Sequence, residues 1–264
     1  MEVPFPWHFC YISSMDIIIT NRFVFTEVAR MLKELCAGKP EYADTVFILG
    51  HVDPRCKLSD MRKQYPNKKL IVYQLEQMYT GCKFANKHCY EWLTGADEIW
   101  DYDLDNIEWL AREGIRASFH PLRYVSTLRD IPVLDKDVDV LFYGAMTPRR
   151  CEIMAKLGNR SVGKWTTAYV LGVAGESLAR WIGRSKIILN IHAYDNNNRQ
   201  EQVRMFYPVI NGACVVSEES ARNYLERSIV ECPLKYIPDT ISDLLKGDRW
   251  KEIGENAAYS FMRR

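Results

Sequence analysis

Arg149 and Arg150 stand at the expected start of a helix, just past the glycine that ends the apolar run VDVLFYG (Val138–Gly144). A guanidinium offers a rigid fork of donors and stays charged at neutral pH, so it suits a phosphate. Gly144 lets backbone approach a ligand closely and turn sharply. Pro148 fits the first turn of the helix that follows. This spacing predicts a phosphate contact for at least one of the two arginines, against the plainer reading of an exposed pair. His192 caps a second apolar run, IILNI (Ile187–Ile191). A lone histidine is more often structural than functional, but the carboxyl end of a strand, ahead of the polar AYDNNN, is where open α/β sheets hold ligands. Asn196, Asn197 and Asn198 suit irregular backbone. Glu201 and Arg204 share a helix face at i, i+3, a spacing that also describes a surface ion pair of little worth. At Asn211-Gly212 a tight turn is expected, and Gly212 and Ala213 leave space beside a ligand. Helix starts attract anions, so the local reading is an α/β domain that binds a phosphorylated ligand.

The elements that must position these residues follow from hydrophobic periodicity. Apolar runs alternate with amphipathic helical stretches, which predicts βαβ units and a mainly parallel sheet. In the first half, strands are expected at Phe9–Ser13, Thr45–Gly50, Leu70–Gln74, Glu98–Asp101 and Ser118–Leu122. Helices are expected at Asn21–Cys36, Tyr79–Leu93 and Asn106–Glu113, the last ended by Gly114. The proline-containing IPVLDKD (Ile131–Asp137) reads as a connector. Beyond it the alternation restarts, with strands at Val138–Tyr143, near Trp165–Tyr169, Ile187–Ile191, Cys214–Val216 and Leu234–Ile237. Helices fall between them at Arg149–Leu157, Ser177–Ile182, Gln200–Ile210 and Ser220–Arg227, and Ile241–Arg264 is helical. The expected domains are 1–130, 131–240 and a helical tail, 241–264.

A length of 264 residues with 47% hydrophobic content suits two small packed domains. Eight cysteines are scattered without CxxC pairs or Cys/His clusters, so no metal site is expected. Cys10 and Cys214 lie in apolar runs and read as buried thiols. No secretory signal and no apolar run of bilayer length is legible, so a cytoplasmic protein without a membrane span is expected. The net charge of +1 selects no partner, but charge is uneven. From Arg55 to His88 eight basic residues face two acidic ones, and from Glu91 to Glu108 there are seven acidic residues and no basic one. Solvated surface is the plain reading. The sharper one is a positive face, with Arg62, Lys63, Lys68 and Lys69, that meets a polyanion.

The ordered set Asn190, His192, Arg204, Phe206, Gly212, Ala213 and Ser217 resembles the nucleotide-sugar half of GT-B glycosyltransferases, especially the small CgeB-like group. DVDVLFYGAMTPRR (Asp137–Arg150) is similar to the first strand and helix start of that half. LIVYQLEQM (Leu70–Met78) resembles a Y-x-x-E-Q strand end of related transferases. The resemblance implies two Rossmann-like domains facing a cleft, with final helices that cross back onto the first domain. It implies a nucleotide-sugar co-substrate, UDP-linked, with no metal or other cofactor required. It points to Gly144, Arg149, Arg150, His192, Glu201, Arg204 and Gly212 as donor-binding residues, and favours Arg150 for phosphate. Where relatives carry a glutamate that holds the ribose, this chain has Tyr207, and Glu201 is the substitute at hand. An inverting transfer needs a base, expected in a first-domain loop: Asp16 after the first strand, His51 or Asp53 after TVFILG, or Glu76. The acceptor is read as a hydroxymethylated base in bacteriophage DNA, which places the enzyme in host cytoplasm and makes modified duplex DNA a partner. The alternatives are a surface-glycan or protein glycosyltransferase, and a nucleotide-binding module without catalysis. No G-x-G-x-x-G follows the first strand, which disfavours a nicotinamide dehydrogenase.

Overall fold

The computed structural model describes residues 8–11, 15–161 and 164–264. The chain divides into two compact units, Met1–Leu122 and Arg123–Arg264. The first contains β1 (His8–Tyr11), β2 (Asp16–Ile19), α1 (Arg22–Cys36), β3 (Thr45–Leu49), α2 (Leu58–Gln64), β4 (Lys69–Gln74), α3 (Lys87–Gly95), β5 (Glu98–Asp101), α4 (Leu104–Arg112) and β6 (Ser118–Phe119). These strands form a six-stranded sheet in the order β1-β2-β3-β4-β5-β6. β2 to β6 are parallel, and β1 is antiparallel to β2, with His8 opposite Ile19. The expected first strand, Phe9–Ser13, corresponds to β1, with its Ile12 and Ser13 outside the described residues, and β2 is a strand the sequence reading missed. The β-branched Ile17–Ile19 favours extended backbone, and it is this run that leads the parallel set.

Alternate positions of the strands divide the core. Ile18, Val46, Ile48, Leu70, Val72 and Ile99 cluster with Met61 of α2, Trp92 of α3 and Leu110 of α4. Trp92 donates its ring N–H to the Cys56 carbonyl at 2.8 Å. The neighbouring positions Phe47, Tyr73 and Trp100 carry an aromatic cluster in which His120 stacks on Trp100 at 3.6 Å. Residues 79–86 precede α3 rather than joining it. Gly81 has φ +82° there, and Asn86 caps the helix by accepting from the Cys89 N–H at 3.1 Å.

The second unit contains β7 (Val138–Tyr143), α5 (Pro148–Ser161), β8 (Thr167–Val170), α6 (Gly175–Arg184), β9 (Ser185–Asn190), α7 (Gln202–Ile210), β10 (Cys214–Glu218), β11 (Val230–Cys232), α8 (Ile237–Leu245) and α9 (Arg249–Met262). Its parallel sheet has the order β11-β10-β9-β7-β8. Two local expectations are corrected. Ser220–Arg227 is not an α-helix, because the Gln200 side chain takes the Tyr224 and Leu225 N–H groups, each at 3.0 Å. Leu234–Ile237 is not a strand, because Pro238 suits the first turn of a helix that starts at Ile237. The connector belongs to this unit. Asn211 accepts from the Ile131 N–H at 3.0 Å and donates to the Leu128 carbonyl at 2.8 Å. The final helix, α9, packs on α7, β9 and β10 of the second unit.

Among the described residues no helix is long and apolar enough to cross a membrane. No group of three or more His, Cys, Asp or Glu side chains could hold a metal there. Cys56 and Cys214 are free and buried, and burial pushes both thiols up to about 12. The side chain of Cys10 lies outside the described residues.

Candidate functional site

The second sheet starts at β7, adds β8 on one side and then β9, β10 and β11 on the other. In such an order the crevice opens at the carboxyl ends of the two strands flanking the reversal. Those are β7, which runs into Gly144, and β9, which runs into Ile191 and His192. Gly144 has φ +115°, and a Cβ built there would lie 2.2 Å from Nη1 of Arg204. Glycine is favoured because side-chain-bearing residues rarely adopt this φ, and any side chain would also displace the Arg204 guanidinium. Arg204 reaches this position from α7. Its Nη1 donates to the Tyr143 carbonyl, and the Tyr143 hydroxyl donates to the Arg204 carbonyl. Its Nε donates to Glu201 Oε2 at 2.9 Å, and the guanidinium lies 5.5 Å from the Phe142 ring centre. Nη2 has no hydrogen-bond partner among the described residues, and the side chain is 17% exposed.

Arg150 is used differently. It is 2% exposed. Its Nε donates to the Ile191 carbonyl at 2.9 Å, Nη1 to the Ala145 carbonyl at 2.9 Å, and Nη2 to both oxygens of Glu201 at 2.6 Å. In this structure the donors of Arg150, expected on a phosphate, tie the loop after β7 to the loop after β9. Arg149 is also taken. Its fork meets Glu218, with Nη1 to Oε2 at 2.9 Å and Nη2 to Oε1 at 2.5 Å, while Nε reaches Asp195 at 2.5 Å. The Glu218 fork holds its guanidinium above the usual range.

Glu201 is the hub. It precedes α7 and receives Arg150, Arg204 and the Ala193 N–H, the last at 3.2 Å. Burial pushes its carboxyl up, but Arg204 and Arg150 outweigh that and hold it below the usual range. The Glu201–Arg204 pair is thus a buried network member rather than a surface pair, and Glu201 has no oxygen to spare for a ribose. Tyr207 donates to Asp130 Oδ1 at 2.9 Å. His192 is buried, with Nε2 3.0 Å from the Glu219 carbonyl. That carbonyl only accepts, so Nε2 carries the proton and Nδ1 is an acceptor without a partner. Asn190 Oδ1 also lacks a partner, while its amide donates to Ser217 at 3.0 Å. Gly212 has φ +76° and turns the chain between α7 and β10.

In the first unit the expected bases separate. Asp16 comes after β1, but β1 is antiparallel to its neighbour, so Asp16 begins β2 at the amino-terminal edge of the parallel set, where it pairs with Lys68 at 2.7 Å. That removes it from the carboxyl edge, where ligands bind. His51 does follow β3, but it is sealed. Neither ring nitrogen has a hydrogen-bond partner, and desolvation, with His88 adding, pushes it down to about 3. Asp53 is occupied by Arg55 at 2.7 Å. Glu76 follows β4, partly exposed, with its N–H donating to Gln74 Oε1 at 2.8 Å.

The basic stretch is partly answered by carboxylates. Arg62 pairs with Asp97 at 2.8 Å, Lys68 with Asp16, and Lys69 with Glu98. Of the four residues expected to meet a polyanion, Lys63 alone has no carboxylate partner among the described residues. The residues that sequence reading missed are Glu218 and Asn106, which hold charge and loop backbone from inside. Their one signal is position at strand and helix ends.

No family model matches this sequence, and no curated sequence is similar to it. Solved structures are similar in fold. Sucrose-phosphate synthase from Thermosynechococcus elongatus matches with TM-score 0.52 and 11% identity over 91% of this chain and 74% of its own. TarM matches with TM-score 0.57 and 10% identity over 83% of this chain and 51% of its own. HepE from Anabaena, in complex with UDP, matches with TM-score 0.56 and 8% identity over 92% and 80%. The chain thus has the α/β fold of GT-B glycosyltransferases, built from two Rossmann-like units with mainly parallel sheets.

Proposed function

We propose that the chain is a glycosyltransferase that takes a UDP-linked sugar and moves the sugar to a hydroxyl. The observation that carries the proposal is Arg204, a guanidinium held over Gly144 at the switch point with Nη2 still free to donate. A diphosphate leaving group gains negative charge as the glycosidic bond breaks, and a preorganised cation offsets that charge. Arg150, Arg149 and Glu201 keep the loops around it in place. His192 Nδ1 and Asn190 Oδ1 are buried acceptors suited to donor hydroxyls. The UDP complex of HepE supports the choice of nucleotide. In an inverting transfer the acceptor oxygen forms the new C–O bond, its proton passes to a carboxylate, and UDP leaves with the bonding electrons. Glu76 is the carboxylate we assign to that proton, since Asp16 and His51 are placed or buried unsuitably.

For the acceptor we propose a hydroxymethylated base of duplex DNA, met by Lys63 together with three further lysines. Lys57, Lys63, Lys83 and Lys87 are the cations of the basic stretch without carboxylate partners among the described residues. A base inside a duplex must leave the stack or be met in the major groove.

The test is titration with UDP and turnover of UDP-sugars. Arg204→Lys keeps a cation beside Glu201 but loses the fork, and should weaken UDP binding about 10-fold or more. Arg150→Ala, by contrast, breaks a buried pair and should destabilise the fold by about 3–5 kcal/mol. Unchanged UDP affinity in the Arg204 variant sinks the donor site. Binding without transfer or donor hydrolysis leaves a nucleotide-binding module.

A further inference from the structure

We infer that Asn106 is a positioning residue for the reaction: from α4 it fixes the Leu75–Met78 loop, and with it Glu76, at the carboxyl edge of the first sheet. The inference rests on the transferase reading, in which Glu76 receives the acceptor proton. The loop has no ladder of its own, so its backbone groups need other partners. Asn106 Oδ1 accepts from the Met78 N–H at 2.7 Å, and Nδ2 donates to the Glu76 carbonyl at 2.8 Å. The Glu76 N–H goes to Gln74 Oε1 at 2.8 Å. Both backbone groups of Glu76 are thus held by side chains, one from β4 and one from α4.

The amide cannot turn over. Nδ2 also donates to Asp101 at 3.0 and 3.1 Å, and a carboxylate there only accepts. Asp101 in turn accepts from the Asp103 N–H at 2.8 Å, and Asp103 caps α4 by accepting from the Asp105 N–H at 2.8 Å. Gln74, Asp101, Asp103 and Asn106 are fully buried, whereas Glu76 reaches solvent. Gln74 Nε2 has no hydrogen-bond partner among the described residues, but the side-chain contacts that reach the Glu76 and Met78 backbone are all made, and buried contacts of this kind specify one arrangement. Here that arrangement presents a single carboxylate outward.

The experiment compares Asn106→Ala in the wild type and in a Glu76→Gln background. In the wild type, kcat should fall about 10- to 100-fold with the UDP-sugar KM unchanged. In the Glu76→Gln background the same change should cost less than about 2-fold, because the group it positions is already gone. Hydrogen exchange at the Glu76 and Met78 amides should quicken in both. Asn106→Asp keeps the shape but sets a carboxylate against Asp101, so its activity relative to wild type should recover as pH falls. Equal losses in the two backgrounds, or full kcat in Asn106→Ala, overturn the inference alone. Wild type that turns over no UDP-sugar overturns the transferase reading and the inference with it.

Discussion

At the scale of single residues, charge alone does not separate the arginines; the count of free donors does. Arg149 and Arg150 were legible as guanidinium groups at a helix start, and both stand there. What the sequence could not show is that Glu218, Asp195 and Glu201 consume them. Arg204 keeps a donor because Tyr143 and Glu201 take only part of its fork. His51 carries a prediction at this scale. Its folded pKa, about 3, lies far below the unfolded 6.5, because burial penalises the charged ring. The unfolded chain therefore binds more protons below pH 6.5, and the stabilising contribution, complete above 6.5, drains as pH falls toward 3. Between pH 6.5 and 4 the loss is on the order of 3 kcal/mol at about 1.4 kcal/mol per unit. Denaturation of wild type and His51→Leu across that range should show the wild type losing stability faster; parallel curves would rule this out.

At the scale of elements, most strands that are apolar along their length were readable, β2 (Asp16–Ile19) being missed, while elements depending on distant neighbours were not. VDVLFY, TVFIL and CVV appear where the hydrophobic runs put them. The helix expected at Ser220–Arg227 fails because a glutamine 20 or more residues away takes its N–H groups. α9 makes the same point through Gly254. A Cβ there would sit 2.1 Å from the Gly212 carbonyl oxygen and 3.0 Å from the Cys214 nitrogen. Both obstacles are backbone and cannot swing aside. Gly254→Ala gains about 1 kcal/mol of helix propensity, but the clash costs about 1–3 kcal/mol or more. Thermal melting should therefore show a net loss of up to about 2 kcal/mol; a raised melting temperature would mean the helix sits farther from the turn.

At the scale of the whole molecule, the acidic and basic runs meet at two ion pairs. Arg62 and Lys69 meet Asp97 and Glu98 across the sequence. The DNA-acceptor proposal then rests on four lysines. If each meets one phosphate, duplex affinity should fall with salt at a log–log slope of about −3.6. The combined variant K57A, K63A, K83A and K87A should flatten that slope. Lys68→Ala and Lys69→Ala should leave it alone and cost at most ~1 kcal/mol of stability. Duplex binding that ignores salt, or is absent, removes the DNA acceptor.

Local chemistry sufficed for the α/β class, for a glycine at the end of VDVLFY and for polar loops at strand ends, because periodicity and backbone freedom are properties of short segments. Which guanidinium stays free, which carboxylate is exposed and which histidine is sealed depend on desolvation and on partners many residues distant. Glu201 with Arg150, and Asn106 with Glu76, meet only once the sheets have formed. Long-range burial is not written in any window of sequence, and it sets which side chains of the candidate site keep free donors and acceptors.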